Sequence, residues 1–463
     1  MSAVARPKVV HPAPAFGEAF ARARATLPGA KTATLNRARE EAFARFVRVG
    51  FPTTRVEEWK YTNLASLAAS PFRLAEPGRE EIKLSDVAHF RLAGLCEHLL
   101  VFVNGRFRAD LSDPEISDSG AWPKGISVSP LSMAAEPELG TVATALANSE
   151  EHPARGLEAL NGAFATDGAV VRIEENAKLD RPLHLLFLFD PSPVPETIAG
   201  AQFLRTLVVV EAGAEATLVE GYGTLGDASR SSAKGAWTNA VTEIHVGSGA
   251  HVRHYKLQAE DAGTIHTSAT IATLTKDARY DHFVLAAGGG IARQKLRVVL
   301  AGRGAKVAAS GITLARGHQH IEHRTDIRHN APEASSTQMF KTAVTGRAHG
   351  VFQGRIEVAP GAQKTDARQN SRNLLLSDRA VADSKPELII NADDVMCSHG
   401  SATGDLDANE VFYLRSRGID ESEARALLVE AFAADLLDGI ADETVRGHFR
   451  NQFSRWLEAG LEA

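Results

Sequence analysis

The stretch from Gly213-Ala214 to Gly361-Ala362 contains six corners of one kind, in which a small or acidic residue precedes Ala where a new strand pattern begins. The four corners between these two are Gly249-Ala250, Asp277-Ala278, Gly304-Ala305 and Glu333-Ala334. Subtracting the positions of the first residues gives steps of 36, 28, 27, 29 and 28 residues. A near-constant period of short strands predicts a β-solenoid, in which each coil buries its inward face by stacking on its neighbours.

A β-sandwich with regular hairpins is the alternative fold for so many short strands. Two-residue hairpin turns are scarce in this part of the sequence, so a parallel β-helix is favoured over the sandwich. Strand patterns run to about residue 415, and helical patterns precede and follow them. The sequence therefore predicts a mainly β protein with three regions. These are an N-terminal helical and mixed region at 1–165, a β-helix core at 166–415 and a C-terminal helical region at 416–463.

Composition excludes several classes of protein. The chain has 463 residues, a formal net charge of -6 and only two cysteines, Cys96 and Cys397. The charge predicts no nucleic-acid groove and no anionic membrane surface, and two thiols cannot build a disulfide scaffold or a four-thiolate zinc site. The first residues lack an apolar segment, and no apolar run approaches the length of a membrane span. A cytoplasmic protein is expected.

The common catalytic signatures are missing from the sequence. There is no G-x-x-x-x-G-K-[ST] loop for nucleotide phosphates, no G-x-S-x-G nucleophile elbow and no H-E-x-x-H zinc helix. Gly288-Gly-Gly290 is followed by Ile-Ala instead of the Lys and Ser or Thr that phosphates need. The chain is expected to have no ATP site of its own.

The segment Asn391-Ala-Asp-Asp-Val-Met-Cys-Ser-His-Gly400 is the first candidate site. On an extended strand, side chains alternate with period two, so Cys397 and His399 lie on one face. Asp393, Asp394 and Asp405 are expected to add carboxylates nearby, although this set has too few soft ligands to hold a cluster alone. The alternative is a packed cysteine beside a simple turn, since a lone Cys is usually a small buried hydrophobe.

The second candidate site is the histidine row His318-Gln-His-Ile-Glu-His-Arg-Thr-Asp-Ile-Arg-His329. His318 and His320 share one strand face, and His323 and His329 share the other, so a metal-binding row is sterically allowed. The alternating charged residues instead favour a solvated ladder with cross-strand hydrogen bonds. A metal-dependent β-fold enzyme that uses this row is the alternative function.

The C-terminal region predicts two amphipathic helices. Asp420 and Glu423 form a capping-box-like start, and an apolar stripe continues to a C-cap at Gly439. This stripe is expected to pack on the end of the solenoid and cap its open coil. The other face of the helix pair is a candidate partner surface. The residues assigned to partner docking are Asp420, Leu427, Leu428, Phe432, Leu436, Phe449, Phe453 and Trp456.

Several long blocks in the same order resemble the SufD family of the SUF iron–sulfur cluster assembly system. The resemblance covers most of the chain and is far more specific than a single motif. The blocks are Pro52-Thr-Thr-Arg-Val-Glu-Glu-Trp-Lys-Tyr-Thr62, Ala159-Leu-Asn-Gly-Ala-Phe164, Arg181-Pro-Leu-His184, Gly350-Val-Phe-Gln-Gly354, Gln363-Lys-Thr-Asp366, Asn373-Leu-Leu-Leu-Ser-Asp378, Lys385-Pro-Glu-Leu388, Asp393 to Gly400, and Phe412-Tyr-Leu-Arg-Ser-Arg-Gly418.

The resemblance implies a right-handed parallel β-helix flanked by helical regions, in a non-catalytic scaffold subunit. It implies pairing with the paralogue SufB through the β-helix and binding of the ATPase SufC by the C-terminal helical region. It also implies a transient iron–sulfur cluster shared with SufB, with His399 as a ligand by motif match and Cys397 beside it as a further candidate. Reduced flavin in the complex and self-pairing of the isolated chain stay open, as does a purely structural partner that only positions SufB.

Overall fold

The computed structural model describes residues 9–69, 73–92, 97–113, 122–147, 150–191, 200–226 and 236–460. Cys96 lies outside these residues. The described strands are β1 (Val9–Val10), β2 (Phe51–Pro52), β3 (Arg73–Leu74), β4 (His98–Val103), β5 (Arg106–Phe107), β6 (Ile126–Pro130), β7 (Ala169–Ile173), β8 (Leu183–Phe189), β9 (Gly200–Val210), β10 (Glu215–Thr224), β11 (Trp237–Val246), β12 (His251–Ala259), β13 (Ile265–Leu274), β14 (Arg279–Ala286), β15 (Ile291–Leu300), β16 (Lys306–Ala315), β17 (His320–His329), β18 (Ser335–Val344), β19 (His349–Val358), β20 (Asp366–Leu375), β21 (Val381–Ile390) and β22 (Met396–Gly404).

Helices lie before and after the strand-rich part of the chain. The described α-helices are α1 (Pro14–Ala23), α2 (Ala33–Val49), α3 (Ala65–Ala69), α4 (Leu84–Val87), α5 (Glu136–Ala147), α6 (Gly156–Phe164), α7 (Ala408–Ser416), α8 (Glu421–Asp438) and α9 (Glu443–Glu458).

The strands form two long sheets that share each coil. Sheet A has the order β22-β20-β18-β16-β14-β12-β10-β8-β4-β5, and sheet B has the order β21-β19-β17-β15-β13-β11-β9-β7-β6. From β9 onward, successive strands alternate between the sheets, and each pairs in parallel with the strand two positions later. Trp237, Ile265 and Ile291 are therefore neighbours in three successive coils. The predicted parallel β-solenoid is confirmed.

The predicted corners are the turns that enter the strands of sheet A. The first residue of each lies two positions before its strand and has a positive φ between 56° and 72°: Gly213, Gly249, Asp277, Gly304 and Glu333. Its N–H donates to a carbonyl in the corresponding turn of the next coil. Left-handed backbone favours Gly and, among other residues, short polar side chains, which explains most of the pattern. The Ala that follows is buried because it points into the narrow edge of the solenoid.

The sixth corner differs from the prediction. Gly361-Ala362 lies in the turn before β20, but Gly361 does not have a positive φ. Lys364, two residues before β20, has the φ of 60° and donates its N–H to the Asp394 carbonyl. The longer turn thus places a lysine where the other coils use Gly, Asp or Glu.

The N-terminal region covers one end of sheet B. Helices α1, α2 and α6 pack with Phe203 and Trp237 in one hydrophobic cluster. Within the segment Arg55–Thr62, Glu57–Trp59 forms a short 3-10 turn. Asn104-Gly105 forms a two-residue hairpin turn between β4 and β5, with positive φ at both residues. Because β4 and β6 extend the two sheets, residues before 166 also contribute to the solenoid.

The C-terminal helices do not cap the open coil, contrary to the sequence-based expectation. Their apolar stripe packs against the outer face of sheet A, where Phe449 contacts the rings of Tyr255 and Phe283. Two cations strengthen this contact. Lys341 Nζ lies 2.5 Å from Asp435 Oδ1, and the Arg316 guanidinium lies 4.6 Å from the Trp456 ring centroid. The last coil is consequently left uncovered.

Candidate functional site

The open end of the solenoid is formed by β21 and β22. Each is the end strand of its sheet, so one backbone edge of each has no strand partner within the described residues. Large apolar side chains are exposed there, namely Val381, Ile389, Ile390 and Met396. An unpaired edge with exposed apolar residues is a template for pairing with another chain.

His399 lies in the middle of β22 and is exposed. It is in parallel register with Gln369 of β20, which is in register with Gln338 of β18. Both glutamines are buried inside the solenoid, and Gln338 Nε2 donates to Gln369 Oε1 at 3.4 Å. Residues in register share a face, so His399 continues an interior column at the point where no further coil covers it. The imidazole is therefore accessible to a molecule that binds the open end of the solenoid.

Cys397 shares the face of His399, as the alternation of side chains predicted. It is in register with Ala367 and packs beside the small apolar cluster of Ile356, Val358 and Ala392. Burial raises the pKa of the Cys397 thiol, and the Asp366 carboxylate raises it further. The neutral thiol is favoured, which fits packing better than ligation in the isolated chain.

The carboxylates predicted near this site do not gather around it. Asp393 and Asp394 are exposed in the turn before β22, whereas Asp405 follows the other end of the strand. A strand of this length separates the two groups by roughly 30 Å, at about 3.3 Å per residue. Among the described residues, no group of three or more His, Cys, Asp or Glu is arranged to hold a metal ion. A cluster at His399 would need ligands from another chain.

The histidine row is divided between two environments. His318 is exposed in a turn, and His320 lies on the outer face, with its Nε2 2.8 Å from Thr62 Oγ1. His323 and His329 point into the solenoid, where burial lowers their pKa values to about 3 and about 4. His329 Nε2 lies 2.9 Å from Ser336 Oγ, and the His323 ring packs against Phe340. These neutral imidazoles are built into the core.

The four charged residues that alternate with these histidines were expected to be solvated, and this expectation is wrong for three of them, since only Arg328 stays partly exposed. Glu322, Arg324 and Asp326 are buried, and the segment around Trp59 contacts Glu322 through Thr62 and Arg324 through Glu58. Glu322 Oε1 accepts from Arg293 Nε at 3.0 Å, and Arg293 stacks on Trp59 at 3.8 Å. The alternating charged residues of β17 therefore form a buried contact within the chain.

Glu58 is the centre of that contact, which the sequence analysis missed. Its Oε2 lies 2.6 Å from Arg155 Nη1 and 3.4 Å from Arg324 Nε. Lys295 Nζ, which is 3.9 Å away, also lies 2.6 Å from Glu158 Oε1. Burial alone would raise the pKa of the Glu58 carboxyl, but the surrounding cations hold it well below its usual range. The block Pro52 to Thr62 was the only sequence signal for this network.

The eight residues assigned to partner docking fall into two groups. Asp420 is the N-cap of α8, and Leu427 is exposed, while Leu428, Phe432 and Leu436 are half-buried. Phe449, Phe453 and Trp456 are buried against sheet A, so they hold α9 in place and cannot also form a surface in this conformation. For these three, the assignment to a docking surface is corrected.

A more accessible apolar surface lies on α7. Phe412 is 73% exposed and Tyr413 57% exposed, and no residue of α7 is buried. Leu427 of the adjacent helix is 40% exposed. The block Phe412 to Gly418 was noted only as a resemblance, although its two adjacent aromatic residues could have indicated a surface of this kind.

Among the described residues, no helix combines the length and apolar character needed to cross a membrane.

Two family models match the chain and together cover most of it. Residues 195–432 match the model described as "SUF system FeS cluster assembly, SufBD core domain". Residues 12–185 match the model described as "SufBD protein N-terminal region". The core match includes the coils, the open end and α7.

Curated relatives agree along nearly the full length. An iron–sulfur cluster assembly SufBD family protein of Synechocystis is 33% identical over 432 residues, which are 92% of this chain and 92% of the relative. The iron–sulfur cluster assembly protein SufD of Escherichia coli is 30% identical over 91% of this chain and 93% of its own length. The Bacillus subtilis protein of the same name is 27% identical over 63% of this chain and 64% of its own length.

Proposed function

The chain belongs to the SufBD family of the SUF iron–sulfur cluster assembly system, and we propose that it is the SufD-type, non-catalytic scaffold subunit of a complex with SufB and the ATPase SufC. The observation that carries the proposal is the uncovered last coil, where β21 and β22 each have a free edge and His399 lies on β22. A solenoid that stops without a cap presents a row of backbone N–H and C=O groups that lack a protein partner and can pair with another chain.

SufB is the proposed occupant of that end. The two unpaired strand edges can be extended by strands of a paralogue with the same two-sheet architecture, and Met396 and Ile390 supply apolar area beside them. We propose the same surface as the site of self-pairing by a second copy of this chain when SufB is missing.

The nascent cluster is the cargo of this interface. We assign one ligand to His399, because its imidazole is exposed at the joint while the Cys397 thiol, on the same face, packs against a neighbouring apolar cluster. Within the described residues no set of metal ligands surrounds His399, and we propose that the remaining ligands come from SufB. Ligands divided between two subunits separate when the subunits move, and neutral imidazole exchanges more readily than thiolate. Both properties suit a scaffold that must release what it builds.

SufC is proposed to dock on the C-terminal helical region through Phe412, Tyr413 and Leu427. The buried face of α8 and α9 contacts sheet A through Lys341 and Arg316. A displacement of these helices would therefore be transmitted to the strands that precede β22. Movement of two docked ATPase subunits could then open and close the cluster interface. Hydrolysis of ATP stays with SufC. A cytoplasmic location and reduced flavin in the assembled complex remain predictions on which this role does not depend.

The test is reconstitution of the three-subunit complex with SufB and SufC of the same source, followed by anaerobic addition of iron and sulfide. We compare wild type, His399→Ala and Ser398→Ala, since Ser398 is an exposed neighbour on the opposite face of β22. The proposal expects all three to assemble and only His399→Ala to lose the cluster.

Two other outcomes would count against the proposal. If the wild-type chain does not bind SufB and SufC, its placement in this complex is wrong. If the His399→Ala complex builds the same amount of cluster as wild type, the chain only positions SufB and supplies no ligand from this strand.

A further inference from the structure

A second surface feature is a cleft between the solenoid and the first turn of α8. Its volume is about 590 Å³, and one wall consists of the turns that lead from sheet A back to sheet B in the last coils. His318, Arg347 and Arg379 occupy the same place in three successive turns, two residues before β17, β19 and β21. Neighbouring coils are about 4.8 Å apart, so the three side chains form a basic ladder.

The two arginines of this ladder are available to bind an anionic ligand. Arg347 and Arg379 make no ion pair within the described residues, and both are exposed at the rim of the cleft. Across the cleft, Arg425 of α8 donates from Nη2 to the Leu376 carbonyl at 3.0 Å, which fixes its guanidinium toward the same space. Three guanidinium groups thus face one opening without a built-in carboxylate partner for each.

The acidic residues of the cleft do not cancel this charge. Glu421 lies 3.1 Å from Arg415 of α7 and is already paired. Asp378 is the other carboxylate of the lining. The N–H groups at the start of α8 are occupied by the Asp420 cap, so the positive potential comes from arginine side chains and not from the helix end.

The lining also restricts the chemistry of the ligand. Within the described residues it contains no Phe, Tyr or Trp, so a nucleotide base or a flavin ring would find no aromatic side chain other than the His318 imidazole to stack on. The basic ladder runs along one wall of the cleft, which suits an extended chain. Arginine forks bind carboxylates in a bidentate manner, and a row of them favours several carboxylates at regular spacing.

We propose that this basic ladder binds a carboxylate-rich segment of the ATPase subunit that docks on the neighbouring α7 surface. The inference rests on the proposed function for the identity of the partner. Glu421 and Arg415 connect the cleft to α7, which carries Phe412 and Tyr413, so one partner can cover the apolar patch and extend an acidic segment into the cleft. Apolar contacts would supply affinity, and the ladder would supply orientation and a faster encounter.

The test measures binding of purified SufC to the full chain as a function of salt. The charge reversal Arg347→Glu with Arg379→Glu is compared with Lys276→Glu and Lys364→Glu, two exposed cations in the turns on the opposite edge of the solenoid. We expect the ladder variant to bind about tenfold more weakly at about 0.05 M salt and the control variant to bind like wild type. The difference should shrink toward about 0.5 M salt, where charges are screened.

A conservative variant separates charge from folding. Arg347→Lys with Arg379→Lys should retain most of the binding, and all variants should keep the wild-type melting temperature because the substituted side chains are exposed. Equal affinity and equal salt dependence of wild type and the ladder variant would overturn the inference while leaving the proposed function intact. No binding by wild type would instead contradict the proposed function.

Discussion

Glu58 accepts a hydrogen bond from Arg155, with 2.6 Å between Oε2 and Nη1, although the two residues are 97 positions apart in the sequence. The pair holds the segment around Trp59 to the helical region and, through Arg324, to the outer face of sheet B. Three cations converge on one carboxylate in a covered space. Removing that carboxylate leaves positive charges without compensation, which is more costly than losing an exposed ion pair.

We expect Glu58→Gln to lower the free energy of unfolding by about 3 kcal/mol at neutral pH. Glu57→Gln is the matched control, because Glu57 is adjacent, mostly exposed and paired with Lys385 at the surface. The control should change stability by less than about 1 kcal/mol, as is usual for exposed ion pairs. Urea denaturation monitored by tryptophan fluorescence measures both values. Equal effects of the two substitutions would mean that the network contributes no more than a surface pair.

The same carboxylate predicts a dependence on pH. The surrounding cations hold the pKa of Glu58 below that of the unfolded chain, where a Glu titrates near about 4.3. The stability from this group is therefore complete above that pH and is lost as pH falls through the lower folded-state pKa. The difference in stability between wild type and Glu58→Gln should shrink as pH falls below about 4.3. A difference that grows below that pH would contradict this assignment.

The corners test why the solenoid could be predicted from the sequence. Gly249 has a φ of 67° and open space where a Cβ would be, so Gly249→Ala meets only the backbone cost of the left-handed conformation. We expect a loss of about 1 kcal/mol. Gly361→Ala is the control, since this position is equally open but has no positive φ, and it should be neutral or slightly stabilising. Thermal unfolding of the two variants distinguishes them, and a similar loss in both would contradict the assignment of the sixth corner to Lys364.

The corners were predictable because the requirement is local. A left-handed turn repeated once per coil favours Gly or a short polar residue at a fixed spacing, and four of the six corners, at Gly213, Gly249, Asp277 and Gly304, have one. The sixth was misplaced because Lys364 is not a residue that indicates such a turn, while Gly361-Ala362 imitates the pattern nearby. The position of the C-terminal helices was not predictable in this way. An apolar stripe shows that a helix is packed, but contacts such as Lys341 with Asp435 decide which surface it covers.

The candidate site around His399 was also predicted only in part from the sequence. Alternation along a strand placed Cys397 and His399 on one face, which the register with Ala367 and Gln369 bears out. The same rule could not show that Asp405 lies at the far end of β22, since that depends on the length of the strand. Nor could it show that the charges beside His323 are covered, because their cover comes from residues more than 250 positions earlier.

The two inward histidines give a direct test of the alternative metal function. His323 Nε2 has no hydrogen-bond partner within the described residues, whereas His329 Nε2 is bonded to Ser336. We expect His323→Leu to be nearly neutral for stability, and His329→Leu to cost about 1 to 3 kcal/mol because it leaves the Ser336 hydroxyl unpaired. Elemental analysis of both variants and wild type, purified without a tag, checks the metal content. Stoichiometric zinc, iron or copper in wild type that is lost in both variants would support a metal site in this row.

The C-terminal helices have a buried aromatic face against sheet A and an exposed aromatic surface on α7, and the two should respond differently to substitution. Phe449 is fully buried between α9 and sheet A, so Phe449→Ala should cost about 3 to 5 kcal/mol through the lost apolar contact and the cavity left behind. Phe412 is 73% exposed, so Phe412→Ala should leave the melting temperature of the isolated chain unchanged and should instead weaken binding of SufC. Calorimetry of the chain alone and titration with SufC measure the two effects separately. Reduced stability of Phe412→Ala would show that α7 is packed in solution. Unimpaired SufC binding by this variant would show that α7 is not the docking surface, and the partner would then have to contact the exposed side of α8 around Leu427.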